Sequence, residues 1–305
     1  MMKNKSASRK LPANKADIAF SLTLSAPAML MTIVFILFPV VDSVYKSLLT
    51  FKVSNIISGK PGTWNNFQNY IRLFQNNKLV PSIITTFSFV AVVVIFQFVL
   101  GMSLALILNS SIRGSRFLRS VMMIPWVVPT VISALVWMWI YQPQYGLLKY
   151  FVSLMGINDF AILNNPSTAL WGVVIAALWK QIPLTTLLLL AGLQNVPSDM
   201  LEAATVDGAG GVRRFFSIVF PAMKSVIKIT LTMAIIENFK QFPLVWTMTG
   251  GGPQDATTTL AILSYREAFV SNNFGSGAAV TTVWMFLMMI VVFFYNKFMG
   301  SSDVD

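Results

Sequence analysis

Two groups of polar side chains interrupt otherwise apolar stretches of this sequence. The first group comprises Glu237, Asn238, Lys240 and Gln241, and the second comprises Lys180 and Gln181. An ionisable side chain at the centre of a bilayer costs about 2.5–3.5 kcal/mol on insertion scales, so such residues face a protein interior and are functional candidates. Their ammonium, carboxylate and amide groups favour binding of a polar ligand. A structural role is the alternative, because Glu237 and Lys240 are three residues apart and could neutralise each other, and Lys180 and Gln181 could be paired within a helical bundle.

Acid–base, thiol and metal chemistry lack the side chains that they need. The chain has no His, no Cys and only 11 Asp and Glu residues. His is the commonest general base and metal ligand, and of the carboxylates only Glu237 falls clearly inside a predicted membrane span. A GxxxxGK[ST] phosphate-binding motif is also absent from the sequence. We therefore predict no catalytic residue, no metal site and no cofactor bound by this chain.

The composition places the chain in a membrane. Of its 305 residues, 55% are apolar and 11% are charged, whereas soluble domains have roughly 25% charged residues. A membrane helix needs about 20 mostly apolar residues. The sequence predicts an all-α polytopic membrane protein in which six transmembrane helices form a single domain. The predicted spans cover residues 18–41, 81–109, 120–141, 168–190, 226–248 and 277–298.

The distribution of Lys and Arg predicts the orientation of the spans. An even number of spans puts both termini on one side, and that side receives 13 of the 22 basic residues, whereas the other side receives seven. Because cytoplasmic loops carry the excess of Lys and Arg, both termini are predicted to be cytoplasmic. The net charge of +11 is thereby explained by topology, and no nucleic-acid partner is expected.

The longest predicted cytoplasmic loop, residues 191–225, reads as a short helix, a glycine turn and a second short helix. Asp199, with Glu202 three residues later, forms a variant of the capping box at the start of the first helix. The two alanines that follow allow close approach by a partner, and the glycines at 208–211 permit backbone angles that other residues resist. Pro221 ends or bends the second helix. Such a helical knob could dock to another protein or lie on the lipid surface.

The same loop resembles the EAA motif of permease subunits of bacterial ABC importers. Glu202-Ala203-Ala204, three residues, Gly208, nine residues, Ile218, one residue and Phe220-Pro221 follow the pattern EAA-x3-G-x9-I-x-L-P. The single departure, Phe220 for the usual Leu, keeps an apolar side chain. The segments Trp64–Tyr70, Phe117–Gly146 and Thr249–Leu260 extend the resemblance to the MalF-like, binding-protein-dependent carbohydrate permeases.

This resemblance implies a type I ABC importer permease fold, also called MetI-like. It also implies that other subunits bind ATP and deliver the substrate. A second homologous permease, as a heterodimer, would complete the pathway in a bacterial cell membrane. Two copies of an ATPase would bind ATP and Mg, and an external solute-binding protein would deliver the carbohydrate. Carried onto this sequence, the residues that contact the ATPase or shape the coupling loop are Glu202, Ala203, Ala204, Asp207, Gly208, Ile218 and Pro221.

The resemblance also implies a substrate pathway through the fifth span. Its expected residues are Glu237, Asn238, Lys240 and Gln241, with Lys180, Gln181, Trp137 and Tyr141 as further candidates. Neutral-sugar members of the family place amides about where Lys240 and Gln241 stand, so Lys240 suggests an acid-bearing oligosaccharide unless Glu237 neutralises it. Trp137 and Tyr141 could stack on a sugar or could anchor the third span at the membrane interface.

Two other functions compete with carbohydrate import. An ion-gradient-driven secondary transporter would account for six spans and buried charges but not for the EAA loop. A permease for polyols or glycerol phosphate would share the EAA loop and differ only in its substrate.

Overall fold

The computed structural model describes residues 15–110, 113–156 and 161–300, and it describes side chains from Phe20 onward. The basic residues Lys3, Lys5, Arg9 and Lys10, on which part of the predicted orientation rests, lie outside the described residues.

The described chain is almost entirely helical. In order, its helices are α1 (Lys15–Thr32), α2 (Phe38–Ser47), α3 (Val53–Ser58), α4 (Gln68–Gln75), α5 (Leu79–Asn109), α6 (Ser115–Met122), α7 (Ile124–Val127), α8 (Thr130–Ile140), α9 (Leu147–Ser153), α10 (Pro166–Gln194), α11 (Ser198–Val206), α12 (Gly211–Arg214), α13 (Phe220–Ala222), α14 (Lys224–Phe239), α15 (Pro243–Thr249), α16 (Leu260–Tyr265) and α17 (Phe274–Phe298). There are also three π-helical turns. Ile33–Leu37 joins α1 to α2, Phe215–Val219 joins α12 to α13, and Arg266–Val270 follows α16. Two strands of two residues, β1 (Leu49–Thr50) and β2 (Thr63–Trp64), pair antiparallel.

Four helices are long and apolar enough to cross a bilayer by themselves. They are Phe20–Ser47, Leu79–Asn109, Pro166–Gln194 and Phe274–Phe298. Two bent pairs raise the number to six if each pair counts as one span, namely Ser115–Val127 with Thr130–Ile140 and Gly211–Ala222 with Lys224–Phe239. The polytopic helical fold expected from the sequence is therefore present, with breaks in two of its predicted spans.

The prediction of a continuous helix over 120–141 is wrong. The chain bends by 94° between α7 and α8, because Pro129 disfavours the helical conformation of the residue before it. Val128 is accordingly extended, with φ −61° and ψ 132°.

The prediction of a continuous helix over 226–248 is also wrong. α14 ends at Phe239 and α15 begins at Pro243, which has no N–H to continue a helical hydrogen-bond pattern. The polar run 237–241 therefore lies at a helix end and in the break after it, not in the middle of a helix. At its other end α14 is bent by 75° from the helical stretch Gly211–Ala222.

The bundle is built around α5 and α10, which pack along each other. α14, α15 and α16 pack against this pair, and α17 packs against α2, α14 and α16. Gly101 allows the close approach of α5, since a Cβ atom there would lie 3.0 Å from Thr185 Cγ2 on α10. The main apolar core includes Phe89, Val93, Val173 and Leu244. Two smaller cores lie near Leu260 and near Met223.

Residues 48–78 form an ordered cap at one end of the bundle. Asn69 Nδ2 donates to the carbonyl oxygens of Ser47 and Leu49, both at 2.8 Å, and is buried. The backbone N–H of Gly275, in the first turn of α17, donates to Phe51 O at 2.8 Å. We call this end of the bundle the cap end and the opposite end, with residues 195–223, the loop end.

The small residues at the start of α17 allow close packing. A Cβ atom at Gly277 would lie 2.6 Å from Ala268 Cβ. A Cβ atom at Gly275 would collide with Leu49 O and would lie 2.9 Å from Asn69 Nδ2. The cap can sit on α17 only because residue 275 has no side chain beyond a hydrogen atom, and Gly277 allows the same close approach to the turn after α16.

We expect Gly275→Ala to lower the free energy of unfolding by about 1–3 kcal/mol, the usual cost of overpacking, and to lower the melting temperature by several degrees. Thermal unfolding of the purified protein in detergent measures the effect. Gly211→Ala is the matched control, because a Cβ atom there meets no atom within 4 Å. Equal melting temperatures for the two variants would contradict the packing role of Gly275.

Candidate functional site

The breaks in the third and fifth predicted spans open onto one cavity of about 490 Å³, which we call the central cavity. It is bounded by α5, α7, α8, α10, α14 and the segment between α14 and α15. Its polar side chains are Gln97, Thr130, Lys180, Gln181, Thr185, Thr230, Glu237, Lys240 and Gln241, and its apolar wall includes Trp126, Leu184, Leu188 and Met233. Amides, hydroxyls and charges are thus gathered inside a bundle whose outer surface is apolar.

Lys180 lies near the middle of α10 and closes the break in the third span. Its Nζ donates to Val128 O at 2.5 Å and to Trp126 O at 3.4 Å. Both carbonyls lie at the point where Pro129 interrupts the helical hydrogen bonds, so the ammonium group satisfies acceptors that the break leaves free. Among the described residues, no carboxylate oxygen lies within 4 Å of Lys180 Nζ.

A network of amides joins α5, α10 and α14 beside the cavity. Asn238 and Gln181 exchange two hydrogen bonds, each of 3.0 Å. Asn238 Nδ2 also lies 3.3 Å from Gln97 Oε1, and Gln97 Nε2 donates to Thr185 Oγ1 at 2.6 Å. Gln97 thus makes hydrogen bonds from α5 to both α10 and α14. Because each of these groups has a partner, the network holds three helices together at the wall of the cavity.

Glu237 and Lys240 form an ion pair, with 2.8 Å between Glu237 Oε1 and Lys240 Nζ. Their side chains are 64% and 50% exposed, so the pair lies open in the cavity and is not packed into the core. This is the mutual neutralisation that the sequence left open. It removes the reason to assign substrate charge to Lys240.

Five of the eight predicted pathway residues line the central cavity. They are Lys180, Gln181, Glu237, Lys240 and Gln241. Asn238 lies behind the cavity wall, only 2% exposed, and acts through its bonds to Gln181 and Gln97.

Trp137 and Tyr141 lie outside the central cavity. Tyr141 is buried and its hydroxyl donates to Gly172 O at 3.1 Å. Trp137 packs against Tyr141 and Trp179, with ring centroids 5.2 and 5.9 Å away. Both residues therefore help to pack α8 against α10.

The sequence did not single out Trp126, Thr130, Thr185 or Thr230, which also line the cavity. Trp126 and Thr130 lie close to Pro129 in the sequence, so the helix break expected at this proline could have pointed to them. The two other threonines had no signal, because one hydroxyl in an apolar helix does not reveal which way it faces.

A second, outer cavity of about 780 Å³ lies at the cap end. Arg266 fixes its loop, because the guanidinium group donates to Asp255 Oδ1 and, at 2.7 Å, to Gly250 O. Partial burial raises the pKa of Asp255, but hydrogen bonds from Arg266 and Thr258 and the positive charges of Arg266 and Lys78 outweigh it, so the pKa lies below its ordinary value of 3.8. The carboxylate is therefore ionised at neutral pH.

An aromatic cluster on α15 and α16 lies between the two cavities. Phe242 and Trp246 are stacked with centroids 5.7 Å apart, and Tyr265 lies 4.6 Å from Trp246. Pro243, at the start of α15, lines the central cavity, whereas Trp246 and Gly250 line the outer one. The first turn of α15 therefore forms part of the partition.

The predicted coupling loop forms the loop end of the molecule. Glu202 and Ala203 are exposed on α11, Ala204 is buried, and Gly208 follows with a left-handed φ of +76°. Arg214 Nη1 donates to Thr205 Oγ1 at 2.6 Å, which ties the two arms of the loop together.

The capping role predicted for Asp199 is wrong. Pro197 is the N-cap residue of α11 and makes no side-chain cap hydrogen bond. Asp207 is exposed at the C-cap of α11, Ile218 is half-buried in a π-helical turn, and Pro221 is exposed in α13.

Residues 97–301 match the sequence family described as binding-protein-dependent transport system inner membrane component. The trehalose/maltose transport system permease protein MalF of Thermococcus litoralis is 35% identical over 288 residues, which are 94% of this chain and 95% of that protein. The sn-glycerol-3-phosphate transport system permease protein UgpA of Escherichia coli O157:H7 is 32% identical over 280 residues, 92% and 93% of the two chains.

The fold is similar to that of a solved bacterial ABC transporter involved in the import of the acidic polysaccharide alginate. The TM-score is 0.78, with 19% identity, over 93% of this chain and 97% of that chain. At this identity the likeness supports the fold and no finer statement.

We expect Asn238→Leu to cost about 1–3 kcal/mol of unfolding free energy, because Gln181 and Gln97 lose buried partners. The double variant Asn238→Leu/Gln181→Leu should lose less unfolding free energy than the sum of the two single variants, by about 0.6–1.7 kcal/mol. Denaturant titration of the purified protein measures this cycle. Asn296→Leu is the control partner, since the Asn296 amide donates to Val292 in its own helix. Additivity of Asn238→Leu and Gln181→Leu would contradict the network.

Proposed function

Because the chain belongs to the family of binding-protein-dependent transport system inner membrane components, we propose that it is the permease subunit of an ATP-driven importer that carries a carbohydrate into the cytoplasm. The central cavity is the observation that carries this proposal. Its volume of about 490 Å³ falls in the usual range of roughly 300–1,000 Å³ for small-molecule sites. Three glutamine amides and three threonine hydroxyls provide both donors and acceptors, which suits a ligand with many hydroxyl groups.

The names of two relatives agree with this substrate class. The Thermococcus litoralis relative is a trehalose/maltose permease and the Escherichia coli relative is a glycerol-phosphate permease. The second name makes glycerol phosphate the alternative substrate. An ion-gradient-driven secondary transporter is not favoured, because the family depends on a binding protein.

This chain provides the passage and the coupling, and we assign no catalytic step to it. ATP and Mg would be bound by two ATPase subunits that contact Glu202, Ala203, Ala204 and Gly208. The exposure of Glu202, Ala203 and Gly208 at the loop end supports that contact. A second homologous permease would complete the pathway, and an external solute-binding protein would deliver the sugar.

The test is reconstitution of the chain in lipid vesicles with its partner permease, ATPase and binding protein. We expect these vesicles to take up a neutral disaccharide only when ATP is present on the side of the membrane that carries the ATPase, the vesicle lumen. Uptake of radiolabelled trehalose and maltose, compared with sn-glycerol 3-phosphate, identifies the substrate class. Addition of a protonophore should leave uptake unchanged. Uptake that requires an ion gradient and continues without the ATPase would refute the proposal.

The coupling role can be tested at Gly208, where any side chain carries the same left-handed strain and meets no atom within 4 Å. We expect Gly208→Asp to reduce sugar-stimulated ATP hydrolysis roughly tenfold or more, because an unpaired charge would be buried at a protein contact. Gly208→Ala is the matched control, since it adds the strain without the charge, and it should keep more of the activity. Normal stimulated hydrolysis in the Asp variant would exclude this loop as the coupling surface.

The orientation follows from the bias of basic residues. With both termini in the cytoplasm of a bacterial cell, the cap end would face outward and the loop end inward. A small tag after Lys60 should be labelled in intact cells by an impermeant reagent, and a tag after Gly211 should be labelled only after the membrane is opened. Labelling of both tags in intact cells would contradict this orientation.

A further inference from the structure

Lys180 contributes a positive charge to the central cavity that no side chain there neutralises. The cavity wall holds two ammonium groups, on Lys180 and Lys240, and one carboxylate, on Glu237. Glu237 is paired with Lys240 at 2.8 Å. Among the described residues of the wall, the sum is therefore one positive charge, and it is located on Lys180.

The contacts of Lys180 position its ammonium group without cancelling the charge. An ammonium group has three N–H donors, and two acceptors are present, the carbonyl oxygens of Val128 and Trp126. Carbonyl dipoles stabilise a cation, but they carry no net charge. One donor therefore remains available on the cavity side, held in place by the break at Pro129.

We infer that Lys180 is an anion-recognition residue and that the substrate is a saccharide carrying a carboxylate or phosphate group. This inference rests on the proposed function and specifies the substrate of the same cavity. Coulombic attraction between opposite charges is much stronger in a protein interior than in water. The amides and hydroxyls around the ammonium group would bind the sugar hydroxyls, and Lys180 would select the anionic member of a pair of otherwise similar sugars.

Lys240 is a poorer candidate for this role because its charge is already balanced. A substrate carboxylate near Lys240 would also approach Glu237, and the repulsion would offset the attraction. The residue that binds the anionic group of the substrate is therefore Lys180 on α10, and not Lys240 as the sequence suggested.

Matched pairs of sugars test the inference with the complete reconstituted transporter. Trehalose and trehalose 6-phosphate differ by one phosphate, and cellobiose and cellobiouronic acid differ by one carboxylate. We expect the wild-type transporter to be half-saturated at a concentration about tenfold lower for at least one anionic member than for its neutral partner. The two pairs distinguish a phosphate from a carboxylate as the recognised group.

Variants of Lys180 separate anion recognition from support of the helix break. Lys180→Gln keeps N–H donors for Val128 O and removes the charge, so the preference for the anionic sugar should disappear. Lys180→Arg keeps the charge and should retain the preference. Lys149→Gln, in α9 and away from the cavity, removes an equal charge and should leave the preference unchanged.

Three results would overturn the inference. They are a wild-type preference for the neutral sugars, an unchanged preference in Lys180→Gln, and an equal loss of transport for both members of each pair. The last result would assign Lys180 to support of the break alone. In all three cases the wild-type transporter would still show ATP-dependent sugar uptake and the proposed function would stand, whereas failure of the wild-type transporter to take up any sugar would refute the proposed function itself.

Discussion

The need to satisfy every backbone polar group away from water is the constraint on which this structure depends. In hydrocarbon an unpaired carbonyl has no solvent partner, so irregular backbone is tolerated only where protein or a water-filled cavity surrounds it. The break at Pro129 meets this condition through Lys180, whose ammonium group reaches Val128 O and Trp126 O. The partly buried ammonium group of Lys180 and the otherwise unpaired carbonyls at the helix break therefore stabilise each other.

The location of the cavity follows from the same constraint. The two broken spans both pack against α10, and α8 of the third span also packs directly on α15 of the fifth. The amides of Gln97, Gln181 and Asn238 bond to one another beside α14, and Lys180 bonds the two carbonyls at the break beside α7. The polar chamber therefore lies where two spans are broken inside an apolar bundle.

Regular helices and close packing hold this irregular centre in place. α5 and α10 approach closely at Gly101, and α17 supports the cap at Gly275. Small residues allow such approach where no hydrophobic effect drives helices together in lipid. The cap end and the loop end are thereby connected through continuous helices that pass on either side of the cavity.

Composition and local pattern by themselves determined the membrane class and the number of apolar segments, and they carried the resemblance to the permease family. These features depend on the residues of one segment, such as a run of apolar side chains or the spacing from Glu202 to Pro221. The positions of Pro129 and Pro243 also marked the helix breaks, although continuous spans were predicted across them. Five of the residues that the sequence singled out line the central cavity, because a charge or amide in an apolar stretch is itself a signal of a polar interior.

Only the tertiary structure decided which polar groups meet. The direction that a side chain faces depends on the neighbouring helices, so Asn238 lies behind the wall, Tyr141 is buried against α10, and Thr185 and Thr230 line the cavity. Pairing also depends on distances across the bundle, as Lys180 and Val128 are far apart in sequence. For this reason the sequence left open whether Glu237 neutralises Lys240, whereas the folded chain pairs the two and pairs Lys180 with backbone carbonyls only.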